Sequence, residues 1–123
     1  EIHSLRRSNK ERIQKALESI DGVRVVNERP DAETSWFGVP IVCEDNNLKR
    51  SLVAYLEENK IQTRNYFAGN ILLHPGYRDL GKASDYPNAN QVLDKVFFLG
   101  CSPTINKKML DYIEKIINLF TYD

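Results

Sequence analysis

The chain has 123 residues, room for one hydrophobic core and little more. Its 17 basic residues balance 17 acidic ones, which excludes the cationic footprint of a nucleic-acid or anionic-membrane binder. The longest apolar runs, such as Val96 to Leu99, fall far short of the roughly 18 residues that cross a bilayer, and no secretion signal opens the chain, so a soluble cytoplasmic protein is expected.

In a reducing cytosol Cys43 and Cys101 are expected as ordinary buried thiols, a disulfide between them being the alternative. Glu1 is not an initiator methionine, and the polar run Leu5 to Lys15 reads as helix already under way. A piece cut from a longer protein is therefore expected, with a processed or trimmed N-terminus as the alternative.

Ile13, Ala16, Leu17 and Ile20 recur at helical spacing among charged residues, which predicts an amphipathic helix from about Leu5 to Ile20, ended by Asp21-Gly22. Val23 to Val26 is short and β-branched. Asn27 to Ser35 reads as a loop, and Trp36 to Cys43 as a second strand. Alternation there puts Phe37, Val39, Ile41 and Cys43 on one face and Gly38 and Pro40 on the other, and Pro40 suggests an edge strand or a bulge because it cannot donate to a ladder.

Glu44 to Asn47 offers N-caps for a helix in which Leu48, Leu52 and Leu56 stack, backed by Val53, to an end near Asn59. After the segment Ile61 to Tyr66, residues Phe67 to Pro87 carry three glycines and two prolines with no sustained period. Loops longer than about 12 to 15 residues inside a compact domain are usually functional or packed on a partner, which makes this one the first functional candidate.

Pro87-Asn88 opens a short helix to about Lys95, and Val96 to Cys101 is an apolar strand. Ser102-Pro103-Thr104 is expected to cap a closing helix with the stripe Met109, Tyr112, Ile113, Ile116, Ile117 and Phe120. The order predicts an α+β fold, a small, mainly antiparallel sheet with helices packed on one face.

The chemistry that would make the chain a catalyst by itself is sparse. His3, His74 and the two cysteines lack metal-ligand spacing, and no nucleotide-phosphate glycine motif is present. Glu57-Glu58 ends a helix and faces solvent in any register that buries Leu52 and Leu56. Phe67-Ala68-Gly69-Asn70 combines a ring face, a glycine that permits close approach and an amide with donor and acceptor, which suits a sugar or a flat cofactor or else forms a plain Gly-Asn turn. Arg64, Tyr66 and Tyr77, grouped around the loop, are placed to bind phosphate or hydroxyl groups, with pairing to an acidic neighbour the alternative for Arg64. Trp36 and Phe37 are lining candidates, with core packing the default for Phe37.

Lys60 to Asn70, with its I-x-T-R strand and aromatic-led loop, resembles the DegT/DnrJ/EryC1/StrS sugar aminotransferase superfamily of pyridoxal-phosphate fold type I. Aminotransferase members show Y-x-P-x-H in the loop, whereas Phe67-Ala68-Gly69-Asn70 is similar to the branch of CDP-4-keto-6-deoxyglucose 3-dehydrases and their GDP-linked relatives. Ser35 to Ile41, Leu56 to Lys60, Pro87 to Ala89 and Met109 to Tyr112 extend the likeness from about Arg6 to Phe120.

The resemblance implies that residues 1–123 are the C-terminal small domain of a homodimeric enzyme of lipopolysaccharide deoxysugar biosynthesis. A separate large domain would bind PLP or PMP and, in some relatives, a [2Fe-2S] cluster, with a histidine replacing the Schiff-base lysine. The substrate would be a nucleotide-linked keto-deoxy sugar, with a reductase as a further partner. Phe67, Gly69, Asn70, Trp36, Phe37 and Arg64 are the expected substrate-cleft residues, and catalytic, cofactor-binding and metal residues are expected outside this chain. An aminotransferase small domain and a free-standing α+β binding module are the alternative readings.

Overall fold

The computed structural model describes residues 1–122. Its first helix, α1 (Ile2–Leu17), starts and stops three residues earlier than the periodicity predicted, because Glu18 to Ile20 close as a tight turn with Ser19 and Ile20 amides bonded to the carbonyls of Ala16 and Leu17. The apolar positions are those expected: Ile13, Ala16 and Leu17 are buried.

Four strands form one antiparallel sheet: β1 (Val23–Val25), β2 (Gly38–Cys43), β3 (Thr63–Asn65) and β4 (Val96–Gly100), in the order β1-β2-β4-β3. The expectation of a small antiparallel sheet holds. β2 is nevertheless central, which corrects the edge placement suggested by Pro40. In a strand the amide and carbonyl of one residue point to the same neighbour. Pro40 O accepts from Val26 N at 3.0 Å, so its nitrogen faces the β1 side, just past the last β1 ladder pair, Val25 with Ile41. The missing N–H falls where that ladder ends.

Three helices complete the frame: α2 (Asn46–Glu58), α3 (Pro87–Lys95) and α4 (Lys107–Asn118). α2 begins on Asp45, whose carboxylate accepts from Leu48 N at 2.8 Å, and it buries Leu48, Leu52 and Leu56 as the i, i+4 spacing predicts. α4 begins on Asn106, not on Ser102 to Thr104. The Asn106 side chain accepts from Met109 N, while Ser102 and Thr104 bond each other in the turn before it.

The stripe on α4 is narrower than read from sequence. Leu110, Ile116 and Ile117 are buried with Ile113 and Phe120 packed against them, but Met109 and Tyr112 are largely exposed. Across the helix pair Arg12 forks onto Glu114 at 2.6 and 2.7 Å and reaches Asp111 at 2.8 Å.

The core joins α1, α2 and α4 to the sheet face carrying Val39, Ile41, Cys43, Phe97 and Leu99. No helix among the described residues is long and apolar enough to cross a membrane. The 67–87 segment, expected as an unstructured loop, winds through three short 3-10 turns, Ile71–Leu73, Pro75–Leu80 and Ala83–Asp85. Single 3-10 turns bury no continuous face, so they leave no period in the sequence.

The 27–35 loop is held to α1 by Glu28, which takes a two-pronged bond from Arg7 at 2.6 and 2.9 Å and accepts from Thr34 N. These bonds, the Arg7 one first, lower the Glu28 pKa from 4.5 to about 2. A depressed folded-state pKa contributes stability that is present above the unfolded value and is lost as pH falls through the folded one. Protection of the Thr34 amide against hydrogen exchange should therefore be complete above pH 4.5 and vanish as pH drops towards about 2.

Cys43 and Cys101 are both buried and free, and burial lifts the Cys43 thiol to about 11 and the Cys101 thiol above its usual value. Both thiols should be inert to aromatic disulfide reagents at pH 8 in the native protein and react fully once it is denatured. Leu52→Ala, at a position with no exposed surface, should cost about 2–5 kcal/mol in denaturant unfolding.

Candidate functional site

The face of the sheet opposite the core is not bare. Phe98 pairs with Pro40 in the ladder, so alternation sends its ring to the outer side while Phe97 fills the core. Gly38 makes room for it: a Cβ there would lie 2.6 Å from a Phe98 ring carbon and 2.8 Å from Leu99 O.

Around Phe98 stand Phe37, Phe67 and Tyr66, with ring centroids 5.7, 6.0 and 6.3 Å away. Phe37 and Phe67 stack on each other at 6.3 Å with 28° between planes, and the two residues are 68% and 67% exposed. Two large, mutually stacked rings left open to water form a platform for a flat or apolar ligand face.

Phe67 occupies this place at a backbone cost. It sits in a turn closed by Gly69 N to Tyr66 O at 3.4 Å, with φ of +51°, in the left-handed region that a bulky side chain avoids. Such a residue costs about 1–3 kcal/mol and persists only where surrounding structure enforces it, a hallmark of ligand-facing positions.

Beside the rings opens a hollow of about 740 Å³ whose lining includes Phe37, Phe67, Phe98, Gln62 and Arg64. Arg64 is exposed, and among the described residues it makes no ion pair or side-chain hydrogen bond, so the acidic-neighbour reading of it is not what the structure shows. A free guanidinium next to stacked rings can take a phosphate or carboxylate in two parallel hydrogen bonds.

Of the six residues singled out from sequence, the structure brings three together: Phe37, Arg64 and Phe67. Trp36 goes elsewhere. Period-two alternation holds only inside a strand, and the 36–37 pair precedes the first ladder pair, Gly38 with Gly100. Arg6 grips the carbonyls of Trp36 and Phe37 at 2.9 and 3.2 Å, and the two rings leave on opposite sides. Phe37 joins the outer platform instead of the Val39 face, while Trp36 packs towards α1 with the Lys10 ammonium 4.6 Å above its ring.

Gly69 and Asn70 belong to the support of the platform. A Cβ at Gly69, whose φ is +60°, would fall 2.8 Å from Leu93, so helix α3 demands the glycine. Asn70 is 2% exposed, and its amide is spent inside the loop: Nδ2 donates to Ala83 O and Asn90 Oδ1 at 3.1 and 2.8 Å, and Oδ1 accepts from Leu72 N at 3.0 Å. The amide expected to face the cleft thus has both its donor and its acceptor engaged inside the loop.

Sequence reasoning missed Phe98 because Val96 to Leu99 reads as uniformly apolar. The doublet Phe97-Phe98 was the available signal, since period two must send one ring to each face. Lys10 and Lys49, which no apolar pattern marks in the sequence, are also buried, and burial lowers the pKa of each.

The fold is thus an α+β domain in which α1, α2 and α4 cover one sheet face while the other face carries an aromatic platform beside the exposed Arg64. The profile of the DegT/DnrJ/EryC1/StrS aminotransferase family matches residues 1–118, and the chain belongs to that family.

Among curated proteins it is 32% identical over 121 residues to dTDP-4-dehydro-2,6-dideoxy-D-glucose 3-dehydratase of Saccharopolyspora spinosa, covering 95% of this chain and 26% of that protein. It is 35% identical over 97 residues to lipopolysaccharide biosynthesis protein RfbH of Salmonella typhimurium, covering 70% and 22%. The chain therefore spans about a quarter of the length of these relatives.

Among solved structures, the aminotransferase TlmJ from Streptoalloteichus hindustanus superposes with a TM-score of 0.80 at 18% identity, covering 95% of this chain and 31% of that one. E. coli GDP-4-keto-6-deoxy-D-mannose-3-dehydratase with bound hydrated PLP gives 0.73 at 22%, covering 93% and 30%. At these identities the likeness is one of fold.

The site predicts opposite outcomes for two neighbours. Phe67→Gly removes the positive-φ penalty together with a mostly exposed ring, and should leave stability unchanged or raise it by up to about 1 kcal/mol. Asn70→Ala strands buried partners and should cost about 1–3 kcal/mol, both read by urea unfolding.

Proposed function

We propose that this domain is the C-terminal wall of the substrate cleft in a nucleotide-sugar 3-dehydratase that uses PLP or PMP. The observation that carries the reading is the strained, outward presentation of Phe67, in the segment that resembles the dehydrase branch, beside Phe37 and the free Arg64. The name of the Saccharopolyspora spinosa relative supports the same chemistry.

The lining of this hollow offers one guanidinium and no carboxylate. That set does not make a pyridoxal-phosphate cradle, because the phosphate, the ring nitrogen and the reacting carbon each need their own partner. No group of three His, Cys, Asp or Glu among the described residues could hold a metal ion. We assign the cofactor, any [2Fe-2S] cluster and the proton-transferring residue to a large cofactor domain of the full-length protein, and assign to this chain binding, orientation and exclusion of water. The rings cover the apolar face of the bound sugar or base, and Arg64 neutralises a phosphate. A homodimer, a separate reductase partner and a cytoplasmic setting complete the proposal.

A second reading, a PLP-dependent sugar aminotransferase, is favoured by the family's description. The two differ in product: 3-dehydration expels the C3 hydroxyl, whereas transamination replaces a keto oxygen by an amine. Mass spectrometry after incubating the full-length protein with PMP and nucleotide-linked 4-keto-6-deoxy sugars separates them. Loss of the C3 oxygen is expected, and an amino sugar product would establish the second reading instead. Phe67→Ala should raise KM about tenfold, equivalent to ~1.4 kcal/mol, with kcat changed little. An unchanged KM would remove the platform from the site.

A further inference from the structure

Lys49 is 7% exposed and lies in the first turn of α2, yet among the described residues no carboxylate stands within ion-pair distance of it. Its ammonium is held by neutral oxygens alone, donating to Leu93 O at 2.6 Å and to Asn65 Oδ1 at 3.1 Å. A buried ammonium with no carboxylate in contact, opposed by Asp94 only at longer range, is expensive, and a methionine would fill much of the same space without that cost. The gain must come from what the ammonium joins.

It joins three elements at the root of the platform. Leu93 is in the last turn of α3, where carbonyls lack intrahelical partners and the helix dipole favours a cation. Asn46, from the same turn of α2, bonds the next carbonyl, Asp94 O, at 2.9 Å. Asn65 is the final residue of β3, two positions before Phe67. The side chain of Leu93 in turn occupies the space where a Cβ at Gly69 would fall, on the far side of the Phe67 turn. Lys49 therefore fixes both ends of the strained turn, the entering strand through Asn65 and the packing surface behind Gly69 through Leu93.

We infer that Lys49 is a positioning residue for substrate binding, the clamp that holds Phe67 in its left-handed turn. This rests on the cleft-wall reading above. A slack turn would let Phe67 relax to negative φ and turn its ring away from Phe37, weakening substrate binding without touching the reacting atoms.

The test uses the full-length protein and three variants, Lys49→Met, Asn65→Ala and Phe67→Ala. Asn65 is exposed, so Asn65→Ala keeps the fold even if Lys49→Met does not. Lys49→Met is expected to speed amide exchange at Phe67 to Gly69 about tenfold while the amides of Leu52 and Ile117 keep their wild-type rates, and to raise KM for the nucleotide sugar about tenfold with kcat nearly unchanged. Asn65→Ala should act in the same direction with about a third of the effect.

In the Phe67→Ala background, Lys49→Met should leave KM where Phe67→Ala alone puts it, because both changes remove one contact. Additive effects on KM would mean that Lys49 acts through general stability and would overturn the inference. Wild-type exchange at Phe67 to Gly69 in both Lys49→Met and Asn65→Ala would overturn it as well. If Phe67→Ala alone leaves KM unchanged while Lys49→Met still frees the turn, the cleft-wall reading fails and the clamp stands.

Discussion

β4 is hydrogen-bonded on both edges, to β2 and to β3, and the alternation of its side chains therefore commits both faces of the sheet at once. Phe97 is driven into the core against helices α1, α2 and α4, and Phe98 must then stand on the opposite face. Once Phe98 stands there, Gly38 beneath it has to lack a side chain, and Phe37 and Phe67 gather around its ring. A one-residue slip of β4 would exchange the two phenylalanines and turn Leu99 out of the core, disturbing core and platform together. Core and site are two consequences of one register.

Polar groups inside the domain do the work that apolar packing cannot do for an irregular segment. The 67–87 stretch has no continuous apolar face to bury, so its order depends on directional bonds. Asn70 and Asn90 both donate to Ala83 O, drawing the two ends of the stretch together. Lys49 and Asn46 anchor α3 beside it through the carbonyls of Leu93 and Asp94. The Arg7–Glu28 pair does the same for the 27–35 loop. Each tie is short-ranged and geometrically exacting, which is how a small domain holds an exposed aromatic at an unfavourable φ without a large core behind it.

The chain matches about a quarter of the length of its curated relatives, and the sheet face opposite its core carries stacked rings beside the exposed guanidinium of Arg64.

The order of elements, the antiparallel sheet and the Leu48, Leu52 and Leu56 row were legible in the sequence, because each leaves a local periodic or turn-forming signature. Arg64 and Phe37 were legible as candidates from residue type and place. What only the tertiary structure decided is which candidates meet. Trp36 and Phe37 part company because Arg6, some 30 positions earlier, holds their carbonyls. Asn70 turns inward because Ala83 and Asn90 come to it, and Lys49 is buried because Leu93 and Asn65 converge on it. The physical reason is common to these cases: a periodic pattern specifies which face of an element seeks the core, but a polar or aromatic side chain is oriented by partners distant in sequence, and those partners exist only once the chain has folded.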